Sequence, residues 1–313
     1  MAKSIGIDIG GTNFRIGVFD QLELLSETRF QADFSALCEH NHANIAWKTI
    51  VKTIAKGIEK ALEEYADIQD IGIGFPGFID PDTGHISESP NLPGLKNINL
   101  AQDLTHELNK KYQIHPVIVE NDALAAAYGE YCMHKEIGAS LIYFGLGTGV
   151  GGGLVLNGTP YAGTHGTAME VGHLIVKPNG RLCGCGNKGC LEQYASANGI
   201  EKSYFLDTRQ QFDTHKISEL ARNGEQAAIK AFQLAGEHLA TAVAHTLKVV
   251  DVPVVVIGGG VSQAWDLIED SFTAQLQTDL IPVLKDKTKI VISTVNDKAG
   301  MLGAAMLATN KPS

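Results

Sequence analysis

Basic charge is scarce in this 313-residue chain: 25 lysines and arginines stand against 35 aspartates and glutamates, a formal net charge of −10 at pH 7. A surface of that sign repels polyanions, which argues against non-specific binding to nucleic acid or to an anionic membrane. It leaves nucleotide phosphates open, because a few oriented backbone N–H groups and a metal ion can hold them inside an acidic protein. The apolar stretch of a secretory leader is missing too, since Met1-Ala2-Lys3-Ser4 runs straight into Ile5-Gly6-Ile7-Asp8. A cytoplasmic location is the expectation. Charge of either sign is absent from Ile137 to Met169, which superficially suggests a membrane span. The glycines there, with Asn157, Pro160 and His165, read instead as a buried strand, turn and strand. No G-x-x-x-x-G-K followed by Ser or Thr occurs, so a P-loop enzyme is excluded. Cysteines number five, at positions 38, 132, 183, 185 and 190. An odd count without a leader points to a reducing compartment and away from a disulfide framework.

What the chain has in excess is glycine, 34 residues gathered in runs. Glycine weakens regular elements, so such runs mark tight turns or close backbone approach to a ligand. Hydrophobic content of 44% and charged content of 19% suit a soluble α/β protein, and the length suits two lobes. Apolar residues alternate on both sides of Gly10-Gly11-Thr12, which predicts a β-hairpin over 5–19. A second strand, glycine turn and strand follows from Ser140 to Leu156, an internal echo of the first that a fold built from related halves would leave. Helical spacing of Ile50, Ile54, Ile58 and Leu62 predicts a helix over 45–66. Further helices are expected at 100–112, 123–131, 226–250 and 299–309, and strands at 71–75, 116–119, 252–257 and 290–292. Strands and helices alternate throughout, so the class is α/β.

Four groups of residues carry chemistry. Asp8-Ile-Gly-Gly-Thr12 is either a hairpin turn that needs positive φ or a concavity of backbone N–H groups that holds an anion, with Asp8 placed to hold magnesium through water. Gly147, Gly149 and Gly152 fit the dinucleotide fingerprint G-x-G-x-x-G, but that fingerprint must open a helix. Here Gly-Leu-Val-Leu156 continues as a strand, so the dehydrogenase reading fails. The turn instead joins the first hairpin and Gly258-Gly-Gly-Val261 as a candidate nucleotide contact. His173, Cys183, Cys185 and Cys190 supply the four ligands a structural zinc prefers, against the plainer alternative of reduced thiols in a tight loop. Asn91, Glu120-Asn-Asp122, Glu170, His173 and Glu192 are acceptors and amides suited to a polyol. The Glu120-Asn-Asp122 segment lies where a strand gives way to a helix, the edge at which α/β proteins place ligands. Asp122 reads either as the cap of its helix or as a functional carboxylate.

In order along the chain, Asp8-x-Gly-Gly-Thr12, Glu-Asn-Asp122, Leu-Gly-Thr-Gly-Val-Gly, Glu-x-Gly-His173 and Cys-x-Cys-Gly-x-x-Gly-Cys-x-Glu192 resemble the ROK family (repressors, open reading frames, kinases) from about Ile5 to Leu307. The resemblance implies a two-lobed, actin-like ATPase fold of the ribonuclease H-like kind, with the active site in the interdomain cleft. The implied small lobe is residues 1–120 plus a C-terminal helix at about 298–313; the large lobe is 121–297. Implied phosphate contacts are Asp8, Gly10, Gly11, Thr12 and Asn13 with Gly147, Thr148 and Gly149, while Gly258 and Gly259 hold the adenosine. Gly77, Asn91, Asn121, Glu170, His173 and Glu192 hold a sugar, and Asp122 is the general base. A free carboxylate ionises near pH 4, so this base is charged at neutral pH. ATP, Mg²⁺ and a structural Zn²⁺ are the implied cofactors, and a homodimer the implied assembly. Repressors of the family carry an added N-terminal helix-turn-helix domain; with the hairpin starting at Ile5 the expectation is a kinase. The Glu-x-Gly-His and Cys-x-Glu motifs are most similar to those of glucokinases, which phosphorylate the 6-hydroxyl. Fructokinases, mannokinases, allose kinases and N-acetylhexosamine kinases share most of these residues.

Overall fold

The computed structural model describes residues 3–10, 13–81, 83–89, 92–134, 138–295 and 298–310. The chain opens with β1 (Ser4–Ile9), β2 (Asn13–Asp20) and β3 (Glu23–Gln31), then α1 (Phe34–His40) and α2 (Ala43–Glu64). Next come β4 (Asp70–Phe75), β5 (Phe78–Ile79), β6 (Ile86–Glu88), β7 (Lys96–Ile98), α3 (Leu100–Leu108), β8 (Ile118–Asn121) and α4 (Asp122–Met133). The second hairpin is β9 (Leu141–Leu146) and β10 (Val150–Leu156), with β11 (Thr159–Pro160) after it. Helices α5 (Glu192–Ala195), α6 (Ala197–Thr208), α7 (Thr214–Arg222) and α8 (Gln226–Val250) lead to β12 (Val254–Gly258). The chain closes with α9 (Glu269–Asp279), β13 (Lys289–Ile292) and α10 (Ala299–Thr309). Contacts divide it into two compact units: Met1–Ala139 with Gly153–Ala168 and Lys298–Ser313, and Ser140–Gly152 with Met169–Asp297.

The first unit is built on a five-stranded sheet of order β3-β2-β1-β4-β8. The β1–β2 hairpin is antiparallel, while β4 runs parallel to β1 and β8 parallel to β4. Side chains alternate across a strand, so Ile5, Ile7 and Ile9 enter one core with Ile50, Ile54 and Ile58 of α2. Gly6 and Gly72 lie opposite each other in the β1–β4 register. A Cβ on either would overlap a carbonyl oxygen of α10, Met301 for Gly6 and Ala304 for Gly72. Gly303 of α10 meets the Ala125 carbonyl of α4 in the same way. Bare backbone at these points lets α10, buried on nearly every side, lie against strands and helix at once. That packing puts residues 121–139 in the first unit, whereas the sequence reading set a boundary before 121. A small antiparallel sheet, β5-β6-β7, belongs to the same unit.

The other sheet has the order β11-β10-β9-β12-β13. Strands β9, β12 and β13 are parallel, and Val254, Val255, Val256 and Ile257 are all buried, the continuous apolar run of a strand covered on both faces. Helix α8 spans the 25 residues its apolar spacing predicts and packs on α9, where Gly236 lets the Ile268 turn approach. Among the described residues no helix is long and apolar enough to cross a membrane.

Candidate active site and metal centre

In the first unit the β1–β2 turn closes with the Gly10 N–H donating to the Asn13 carbonyl at 2.8 Å; Gly11 and Thr12 lie outside the described residues. Asp8 stands opposite Arg15 across the hairpin, and the Arg15 Nη2 donates to Asp8 Oδ2 at 2.6 Å. Residue 300, in the first turn of α10, comes so near that a Cβ there would sit 3.5 Å from the Asp8 carboxyl carbon. Sequence reasoning missed Arg15, although the hairpin's symmetry about its glycine turn sets the two side chains on one face.

The turn from β8 into α4 divides its labour between two neighbours. Asn121 Oδ1 accepts from the N–H groups of Ala123 and Leu124, both at 3.0 Å, and so caps the helix. Its Nδ2 donates to the Gly77 carbonyl at 3.2 Å, which ties the loop after β4 to the head of α4. Capping therefore falls to Asn121, and Asp122, whose Oδ1 accepts from Ala123 N–H at 2.8 Å, is the first residue of the helix proper. Its half-buried carboxylate lies at the positive end of α4. Behind it, burial pushes the Glu120 carboxyl up, opposed by the hydrogen bond it accepts from the Asn121 N–H at 2.8 Å. Buried Ser89 donates to the Pro76 carbonyl beside Gly77. Asn91 lies outside the described residues.

In the second unit the Gly147 N–H donates to the Gly149 carbonyl at 2.9 Å, making a tight turn with Thr148 exposed at its tip. Gly258 ends β12, and Gly259 takes φ +83°, where a Cβ would press on the Leu146 backbone. The buried Tyr143 ring fills the space beside Gly145 and Gly258, so neither has room for a side chain.

The cysteine loop brings its four expected ligands together. One ligand atom from each of His173, Cys183, Cys185 and Cys190 lies within 4.8 Å of all the others. His173 Nδ1 is 3.7 Å from Cys183 Sγ, and Cys185 Sγ is 3.6 Å from Cys190 Sγ. Tetrahedral zinc with bonds of about 2.1–2.3 Å separates its ligands by about 3.4–3.8 Å, so the set fits the ion. The chain wraps the site through a turn in which Gly186, at φ +92°, donates its N–H to the Cys183 carbonyl at 3.0 Å. Burial and the neighbouring sulfurs push the Cys190 thiol up to about 12, the penalty of crowding thiols that a divalent cation removes. The other ring nitrogen of His173 faces Glu170 Oε2 at 3.8 Å. Burial raises the Glu170 carboxyl, the charge of Glu192 adds to the rise, and His173 opposes it. Glu170 of the expected sugar set thus sits beside the metal ligand His173, and Glu192 is near enough to Glu170 for their charges to interact.

Behind the loop stands a brace that the sequence did not single out. Arg181 donates to the carbonyls of Gln193 and Gly199 at 2.6 and 3.0 Å and to Ser203 Oγ at 2.9 Å. Its guanidinium lies 4.6 Å from the Tyr194 ring centre, and His238 meets that ring edge-on. Desolvation, with the charges of Lys177 and Arg181, lowers His238 to about 4, so it is neutral at pH 7.

The structure matches that of a ROK family glucokinase from Streptomyces griseus in complex with glucose and AMPPNP, with a TM-score of 0.81 at 30% identity over 99% of this chain and 100% of that one. The class is therefore the two-lobed, actin-like ATPase fold of the sugar kinases. The chain belongs to the ROK family, whose model matches residues 4–311. Among curated relatives, a glucokinase from Thermotoga maritima is 32% identical over 97% of this chain and 96% of its own length. An N-acetyl-D-glucosamine kinase from Pasteurella multocida is also 32% identical, over 98% and 99%.

Proposed function

We propose that the protein transfers the γ-phosphoryl group of ATP to the 6-hydroxyl of a hexose, D-glucose before others, with Asp122 as general base. The observation that carries this reading is the head of α4. Asn121 supplies the cap and bonds the Gly77 carbonyl, while the half-buried Asp122 carboxylate opens the helix beside it and shares the Ala123 N–H. In the reaction the hydroxyl oxygen attacks the γ-phosphorus, the bond to the bridging oxygen of ADP breaks, and the hydroxyl proton passes to the Asp122 carboxylate. The turns at Gly10 and at Gly147–Gly149, the latter with Thr148 exposed at its tip, are the proposed phosphate contacts, and Gly258 and Gly259 the proposed adenosine contacts. Magnesium, when bound with ATP, would neutralise charge on the phosphates, and Asp8, which accepts from Arg15, is the acid proposed to hold it through water. Glu170, His173 and Glu192 are the proposed sugar contacts of the second unit. His173 would also bind zinc through Nδ1, leaving Nε2 toward Glu170. The metal would then fix the ring that a sugar hydroxyl meets.

The same set suits an N-acetylhexosamine, a reading supported by the Pasteurella multocida relative at the same 32% identity. Coupled assays of ADP release on a panel of hexoses and N-acetylhexosamines decide the acceptor. Replacing Asp122 with Asn is expected to lower turnover by about 10²- to 10⁴-fold, with hexose affinity by calorimetry changed little. Wild-type turnover in that variant would remove Asp122 from the base role.

A further inference from the structure

One short segment holds both ends of the proposed phosphate turn. The Val150 N–H, directly after Gly149, donates to Glu192 Oε2 at 3.2 Å, and a Cβ on Gly149 would come within 2.5 Å of that same oxygen. Five residues beyond Glu192, the Ala197 N–H donates to the Gly147 carbonyl at 2.9 Å. The segment between is itself fixed. Ser196 Oγ donates to the Glu192 carbonyl at 2.6 Å and accepts from Gly199 N–H at 2.9 Å, and Arg181 grips the Gln193 carbonyl. It begins two residues after the metal ligand Cys190.

We infer that Glu192 is a positioning residue for the nucleotide turn as well as a sugar contact, so that hexose and ATP binding are coupled through its carboxylate. The inference rests on the sugar-kinase reading proposed above. Two carboxylate oxygens carry about four acceptor sites, enough to take Val150 N–H and a sugar hydroxyl together. A sugar bound there fixes the Glu192 rotamer, which holds Val150 and pre-shapes Gly147–Gly149 for phosphate before ATP arrives. Because such coupling is reciprocal, ATP must tighten hexose binding by the same factor that hexose tightens ATP.

Calorimetry with a non-hydrolysable ATP analogue, in the absence of sugar, separates the two roles of Glu192. A residue that only touches sugar leaves nucleotide affinity unchanged when it is removed. Here Glu192→Ala is expected to weaken the analogue about five- to tenfold, the worth of one hydrogen bond. Glu192→Gln keeps an acceptor oxygen and should restore affinity to within about twofold of wild type. The converse arm titrates hexose without nucleotide into Gly149→Ala, where the added methyl displaces the Glu192 carboxylate and should weaken sugar binding. Wild-type analogue affinity in Glu192→Ala overturns the inference; if that variant does not fold, unchanged sugar affinity in Gly149→Ala does so. A wild-type protein that binds no hexose defeats the sugar-kinase reading instead, a different result from either.

Discussion

At the head of α4 two adjacent side chains look interchangeable and are not. Asn121 spends its carbonyl oxygen on two helix N–H groups and its amide on Gly77, whereas Asp122 opens the helix and, of those two N–H groups, accepts only from that of the adjacent Ala123. Truncating Asn121 to Ala should therefore cost about 1 kcal/mol of stability through the lost cap, read as a lower urea midpoint. It should also reduce kcat, because the Gly77 tether that registers Asp122 goes with it. Unchanged turnover in a measurably destabilised variant would show that the tether does not serve catalysis. The sequence put both residues at a strand-to-helix junction but left the cap unassigned, since Asn and Asp cap equally well and only backbone geometry separates them. Arg15 was legible in principle from hairpin symmetry. The bond from Val150 to Glu192 was not, because the partners stand 42 positions apart with a metal loop between them.

At the scale of elements, the segment from His173 to Cys190 is a loop whose shape depends on four side chains meeting at one point. Its spacing was visible in the sequence because metal chemistry restricts ligand type and number. Metal analysis of freshly purified protein is expected to find about one zinc per chain. Removal by a strong chelator should lower the thermal midpoint and weaken hexose binding together, since His173 and Glu192 flank the same loop; chelation without effect on sugar affinity would make the site structural only. Helices α2 and α8 were equally readable, each presenting a regular apolar stripe to a core. Strand β3 was not, for it is a sheet edge with the polar sequence ELLSETRFQ and no clean alternation of burial. The short helices α5, α6 and α7 also escaped: α5 is a single turn, α6 has no marked apolar face, and α7 is only nine residues long.

For the molecule as a whole, the division into two units was expected from length and the return of a C-terminal helix at about 298–313 from the family resemblance, but the return of residues 153–168 was not. Residues 153–168 and 298–313 return to the first unit after the second has been threaded between them, a pattern that local periodicity cannot reveal. The return of α10 depends on backbone touching backbone at Gly6, Gly72 and Gly303. Gly303→Ala forces a methyl against the Ala125 carbonyl and should destabilise the first unit by about 1–3 kcal/mol. Differential scanning calorimetry reads that as a lower midpoint, and an unchanged one would mean that α10 shifts without penalty.

The position of α10 also bears on how the chain is made. Residue 6 rests on residue 301, so β1 leaves the ribosome long before α10, the segment that covers its sheet on that face. Domains generally fold as units in the order of synthesis, but the first unit here cannot, and its β1–β4 surface stays bare throughout translation of the second. A pause late in the message, or release of a chain ending before Lys298, would leave that surface to chaperones or to aggregation.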